Sequence, residues 1–395
     1  MNNFPKIPAT EFMLRINNFK KIMEREKIDI VVIYSNFIDP AGVRYFSSFY
    51  PVNESSAMII PLKGDPILCS GQANHEWSKH TSVIKDIRIL PEVGEVAGVE
   101  YDIKGQLDFN DLFQEIKGKY EVNKIGIIGD LIFPINIYKK LVNVYPKTEI
   151  ISADKLMFEM RVKKSKNELN CIRKAGEIMS QAYEYTVSRI KPGVSELDIA
   201  ADIQSEILRL GAEGNTVSWA PMIQSGKDNS NLCVNISSSR KVNESEIINL
   251  QAGAYYEGYN AALSTPVVLG EIPNAIKEAV KVLYEALIIA ENMMKPGVTS
   301  VEVFKKYIDF LKARGYGDYI PYGPLHSIGM LECETPFFSI NREVPIVEDM
   351  TIAIDAYLKG LPWGSFRIEN TYIINSSGVE CVTDFNEKFI RKTYK

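Results

Sequence analysis

The sequence predicts an α/β domain over residues 1–155, followed by an α+β domain over residues 156–395 assembled from two related units. Three observations predict it. A chain of 395 residues is longer than one hydrophobic core usually serves. Helical and strand patterns alternate through the first 155 residues. Further on, IKPGVSELDIA (190–200) returns as MKPGVTSVEVF (294–304), with Lys191 and Lys295 separated by 104 residues (295 − 191).

The elements follow in order. Phe12, Ile16, Phe19, Ile22 and Met23 recur at helical spacing within 11–28, and IDIVVIY (28–34) is a buried strand. SAMIIPL, DPILCS and DIRIL are further strands. An amphipathic stretch near 107–120 precedes another, KIGIIGD (124–130). From residue 154 a long helical region carries Leu169, Ile172, Ala175, Ile178, Met179 and Ala182 on one stripe. Lys163, Lys164 and Lys166 before it mark a charged linker or a helix surface. Each Lys-Pro-Gly ends one helix, and Ser195, or Thr299 with Ser300, caps the next. Strand-rich segments follow at 216–223, 246–269 and 350–375. A pseudo-twofold of this kind places a ligand cleft between its units.

Composition narrows the function classes. The chain is 46% hydrophobic and 24% charged, with a net charge of −5, and it has no basic run that would follow a nucleic-acid backbone. The opening MNNFPKIPATEF lacks a basic segment followed by an apolar one, so no secretory leader is expected. No apolar run approaches a membrane span. Cys69, Cys171, Cys233, Cys333 and Cys381 are scattered and odd in number, as expected of reduced thiols in a cytoplasm. His326 is one of three histidines; His75 and His80 fall in a polar helix of the first domain.

Four segments of the second half carry a family resemblance: IINLQAGAYYEGYNAALSTPVVLG (247–270), HSIGMLECETP (326–336), MTIAIDAYLKG (350–360) and SFRIENTYIINSSGVECVTDF (365–385). In order and spacing they resemble creatinase, aminopeptidase P, prolidase and methionine aminopeptidase. The first half is similar to the smaller creatinase-type domain. The resemblance implies a creatinase-like N-terminal domain followed by a pita-bread domain that holds the cleft.

The metallopeptidases of this family place two divalent metals on two Asp, one His and two Glu. Hard cations need anionic oxygens, and paired they activate a bridging water. In this sequence the first Asp position matches Gln251 and the second Ala262. The His is kept as His326, the first Glu position matches Asp355, and the second is kept as Glu369. Two carboxylates and an imidazole are too little negative charge for two dications, so the expectation is no metal and no cofactor. A single ion on His326, Asp355 and Glu369 is the alternative.

The segments QSGKDNSN…SSSRKVN, GYNAALST and HSIG look closest to the metal-free creatinase branch. The resemblance puts that branch's catalytic His at Cys233, a guanidinium-binding Glu at Ser264 and another at Asp355. Its carboxylate-holding arginines fall at Glu54 and Phe337. These departures argue against creatine and for a cationic or neutral amine-bearing ligand.

Expected catalytic groups are His326, Asp355, Glu369 and Cys233, the last as a thiol beside an imidazole. Gln251, Tyr259, Asn260, Ser264, Glu334, Arg367, Glu54 and Phe337 are expected to contact substrate. Arg367, two residues before Glu369 on a strand, shares its face and is placed to pair with one of the acids.

The resulting expectation is a metal-independent, creatinase-like hydrolase of an amidine, urea or cyclic amide bond in a small nitrogen-rich molecule. One alternative is an Xaa-Pro aminopeptidase- or dipeptidase-like metallopeptidase with a degenerate site. Another is a binding protein without chemistry. The resemblance also implies a homodimer in which the first domain of one chain caps the cleft of the other. The expected partner is a small-molecule substrate, with no nucleic acid and no membrane.

Overall fold

The structure is a computed structural model that describes residues 5–95, 106–216 and 220–395. The chain forms two compact units: Ile7–Arg161, and Val162–Lys395 with Pro5 and Lys6. The division expected between residues 155 and 156 falls inside the helix that closes the first unit.

In the first unit the strands are β1 (Ile30–Ser35), β2 (Ser56–Pro61), β3 (Ile67–Ser70), β4 (Asp86–Ile89), β5 (Lys124–Ile128) and β6 (Glu149–Ser152). They form one mixed sheet in the order β4-β3-β2-β1-β5-β6. β1 lies parallel to β5 and antiparallel to β2, and all six of its residues are buried. That explains its unbroken apolar run, since a strand covered on both faces has no polar side. The helices are α1 (Ala9–Glu26), α2 (Ala41–Ser47), α3 (His75–Thr81), α4 (Phe109–Lys119), α5 (Ile135–Val144) and α6 (Asp154–Arg161). α4 and α5 bring Phe109, Leu112, Phe113, Ile137 and Leu141 onto Ile30, Val32, Ile59 and Ile125.

The second unit opens with α7 (Lys166–Val187) and α8 (Glu196–Arg209). Next come β7 (Gly214–Asn215), β8 (Met222–Ser225), α9 (Gly226–Ser230), β9 (Ile248–Tyr256) and β10 (Tyr259–Val267). The pattern repeats with α10 (Asn274–Met293), α11 (Ser300–Ala313), β11 (Leu325–Ser327), β12 (Thr351–Leu361) and β13 (Gly364–Ile374), and ends in β14 (Val379–Cys381) and α12 (Phe385–Thr393). One sheet runs β11-β12-β13-β10-β9-β7, with β8 beside β9 and β14 beside β13.

The expected repeat is present down to single hydrogen bonds. Ser195 and Thr299 each cap a helix through a capping box, with Asp198 and Glu302 reaching back. Ser195 bridges to Lys241, and Thr299 to Pro345. The main apolar core of the unit packs α10 and α11 on β12 and β13, through Leu283, Leu287, Phe304, Ile352 and Phe366. No helix among the described residues is long and apolar enough to cross a membrane.

Candidate active site

The site is built on one row of side chains across the sheet. β9 and β10 are joined by Glu257 and Gly258, both at positive φ, which is the two-residue turn that suits twisted hairpins. This turn sets Gln251 opposite Ser264. Ser264 in turn lies opposite Glu369 on β13, and Glu369 opposite Asp355 on β12. Residues directly opposite on adjacent strands share a face, so Gln251, Ser264, Glu369 and Asp355 line up on one side of the sheet. Arg367 and Ala262, each two residues from a member of the row, join that face. His326 on β11 lies opposite Ala353 and so stands beside Asp355.

The seam between the two halves is held at this row. Asn386 Nδ2 donates to the carbonyls of Ser264 and Glu369, and Thr371 exchanges hydrogen bonds with the backbone of Ala262.

Around the row the charges sort into two groups. In the first, Arg367 Nη1 lies 3.3 Å from Asp355 Oδ2, and Tyr322 Oη donates to the same oxygen at 2.6 Å. Arg367 also donates to the Cys233 carbonyl at 3.1 Å and lies 4.5 Å from the centre of the Tyr357 ring. The pairing expected of Arg367 is therefore with Asp355. In the second group, His326 Nε2 is 3.2 Å from Glu369 Oε1 and 3.6 Å from Glu332 Oε1. Ser264 Oγ donates to the other Glu369 oxygen at 2.9 Å.

Burial opposes the imidazolium of His326, but Glu332, Cys333 and Glu369 outweigh it and hold the ring protonated well above its usual range. Burial likewise works against ionised Glu369, yet the hydrogen bond and charge of His326, with Arg367 and Ser264, keep its carboxyl low. Glu332 has less help, and burial raises it.

The remaining expected residues divide by location. Cys233 lies with its Sγ 3.6 Å from Arg367 Nη2, so it meets a guanidinium and not the expected imidazole. Tyr259 donates to Glu168 at 2.7 Å, and Asn260 Nδ2 donates to the Gly329 carbonyl at 2.8 Å. Glu334 forms a buried ion pair with Lys164 at 2.9 Å and accepts from the Met330 N–H. The contacts of Asn260 and Glu334 anchor the loop after His326. Lys164 is thus a buried partner and not the expected linker or surface charge. Glu54 belongs to the first unit, where it accepts from the N–H groups of Ala73 and Asn74. Phe337 lines a cleft of about 570 Å³ together with Tyr322, His326, Phe338, Ile340 and Asp355.

Sequence reasoning missed Glu332 and Tyr322. Glu332 sits in the same HSIGMLECETP segment as His326, so the signal was present. Its irregular loop gave no period from which to read its direction.

The profile of metallopeptidase family M24 matches residues 170–376, and that of the creatinase/prolidase N-terminal domain matches residues 15–163. The chain belongs to metallopeptidase family M24. Among similar M24 proteins, the Xaa-Pro dipeptidase of Pyrococcus furiosus is 25% identical over 370 residues, covering 93% of this chain and 97% of its own. The uncharacterized peptidase YqhT of Bacillus subtilis is 25% identical over 378 residues, covering 95% and 99%. The X-Pro aminopeptidase of Thermotoga maritima has the same two-domain pita-bread fold, with a TM-score of 0.82 at 23% identity over 93% of this chain and 97% of its own.

These relatives overturn the expected function, a metal-independent creatinase-like hydrolase of amidine, urea or cyclic amide bonds. The physical error lay in the charge count. It took Asp355 and Glu369 as the surviving acids, whereas the fold adds Glu332 beside the imidazole.

The two-metal arrangement implied by M24 does not fit this chain. Gln251 turns its Nε2 to Gln224 Oε1 at 2.6 Å. Ala262 is fully buried in an apolar contact with Ile328 and Ala353, where a carboxylate would be needed. Asp355 is already neutralised by Arg367.

Proposed function

We propose that this chain hydrolyses the peptide C–N bond of a small Xaa-Pro peptide. The cleft carries the reading. An Xaa-Pro dipeptide presents an ammonium, a carbonyl and an apolar pyrrolidine ring. The cleft offers polar groups at His326 and Asp355 beneath walls of Ile308, Ile320, Tyr322, Phe338 and Ile340. The Asp355 carboxylate at the cleft offers the ammonium end a hydrogen-bond acceptor, and the aromatic wall favours the ring. The full-length similarity to an Xaa-Pro dipeptidase supports the same substrate class.

In this reading water adds to the carbonyl carbon beside His326, which floors the cleft with Glu332 and Glu369 facing its Nε2. The C–N bond then breaks, with the proton passing to the proline nitrogen. Asp355, held by Arg367 and Tyr322, fixes the wall beside that floor. Ser264 and Gln251 complete the row behind it.

The test is chromatographic measurement of free proline released from a panel of Xaa-Pro dipeptides and tripeptides, with and without added Mn²⁺ or Zn²⁺. Release from dipeptides with a free amine, and a marked loss on N-acetylation, is the expected result. No release from any member of the panel would remove the proposal.

A further inference from the structure

We infer that the site takes one divalent cation, held by His326, Glu332 and Glu369, and that Arg367 has replaced the second. The inference concerns the floor of the proposed hydrolase site and rests on that reading for the role of the ion. The three side chains form a group, among the described residues, whose donor atoms all lie within 4.8 Å of one another. Two donors each about 2.1 Å from an ion stand about 3.0 Å apart at a right angle and about 3.4 Å apart at a tetrahedral angle. The observed separations from His326 Nε2, 3.2 and 3.6 Å, lie close to these.

Two of the three side chains are also oriented for the task. His326 Nδ1 faces the Ser327 carbonyl at 3.3 Å, so that nitrogen keeps its proton while an ion displaces the one on Nε2. Glu369 accepts from Ser264 through one oxygen and turns the other toward Nε2. His326 lines the cleft, which gives an ion its way in.

Charge fixes the number at one. Arg367 cancels Asp355, so Glu332 and Glu369 balance a single dication. A second would meet the Arg367 guanidinium, the neutral Gln251 and the methyl group of Ala262. The set differs from the implied five-residue pattern in using Glu332, which no position of that pattern supplies. One His and two carboxylates suit Mn²⁺, Fe²⁺ or Zn²⁺. Such an ion lowers the pKa of a bound water toward neutrality.

The experiment strips the full-length protein with chelator and dialyses it against Mn²⁺ or Zn²⁺. Bound metal is then counted by elemental analysis, and metal-dependent Tm shifts are recorded. The expected result is one equivalent and a rise in Tm. Glu332→Gln, with its fold checked by circular dichroism, should weaken binding at least tenfold. His326→Gln should abolish the Tm shift, while Asp355→Asn should keep one equivalent. Zero or two equivalents, undiminished binding in Glu332→Gln, or loss of the ion in Asp355→Asn would each overturn the inference. One bound ion without Xaa-Pro cleavage would sink the substrate and leave the ion site standing. Cleavage without a bound ion would do the reverse.

Discussion

In the first half of the second unit, Gly193 donates to the Val242 carbonyl and Val242 donates to that of Val194. In the second half, Gly297 donates to Ile346 and Ile346 donates to Val298, so every partner recurs 104 residues on, as 242 and 346 do. What the two halves place on this shared frame differs. β9 and β10 carry Gln251, Ala262 and Ser264 to the site face, all neutral. β12 and β13 carry Asp355, Arg367 and Glu369, all charged. The backbone frame is specified by turns and caps outside the strands. The strand face is therefore free to change its chemistry without changing its path.

The asymmetry reverses at the helix starts. At the first residue of α8 stands Glu196, which accepts from Ser225 N and Oγ, Asn229 Nδ2, and Ser238 N and Oγ. Its counterpart at the start of α11 is Ser300, whose hydroxyl bridges the Arg342 carbonyl and the Val344 N–H. The half with the neutral strands thus uses a buried carboxylate to hold its loop, and the half with charged strands uses a hydroxyl.

The largest effect should come from disturbing the charged face. Arg367→Met leaves Asp355 buried without its cation and should cost about 3–5 kcal/mol in urea unfolding. Adding Asp355→Asn should recover most of that loss; a double variant no more stable than the single would show that the pair is not the cause.

Next comes the loop anchor of the neutral half. Glu196→Gln replaces an acceptor oxygen with a donor facing other donors and should cost about 2–3 kcal/mol. Burial works against ionised Glu196, but the hydrogen bonds from Ser225, Ser238 and Asn229 hold its carboxyl below the usual range. A depressed carboxyl stabilises the fold above its unfolded pKa, about 4.3, and that contribution fades as pH falls through the lower folded value. The gap between wild type and Glu196→Gln should therefore be full at pH 7 and shrink below about pH 4. A gap constant with pH would show that ionisation plays no part.

The smallest effect belongs to the counterpart. Ser300→Ala should cost about 1 kcal/mol, with no pH dependence between 4 and 7. A loss equal to that of Glu196→Gln would erase the difference between the two anchors.

Much of this fold is legible in local chemistry. The run IDIVVIY reads as a strand covered on both sides, and it is the buried β1. The two KPGV segments read as matching helix starts because capping needs only a hydroxyl and an acid three residues on. Gln251, Ser264, Asp355 and Glu369 were reached through the family resemblance; hairpins set Gln251 opposite Ser264 and Asp355 opposite Glu369, but the Ser264–Glu369 pairing that completes the row joins strands 105 residues apart. What escaped depends on contacts distant in sequence. Lys164 looks like one of three surface lysines until Glu334 arrives from 170 residues away. Glu332 lies on a loop whose direction no periodicity reports. Cys233 faces Arg367 from the irregular 231–239 segment, which has no register from which the aim of a thiol could be read.

The packing of Ala262 has a consequence for how such a site could change over time. Its methyl group meets Ile328 and Ala353, and all three side chains are fully buried. A mutation restoring an acid there would push a carboxylate into that closed contact, with Arg367 still engaged by Asp355. No single step leads back to a two-ion centre, because room, charge and ligand would have to change together. The methyl group acts as a ratchet, and descendants of this chain are more easily reached by elaborating the present pocket than by reverting it.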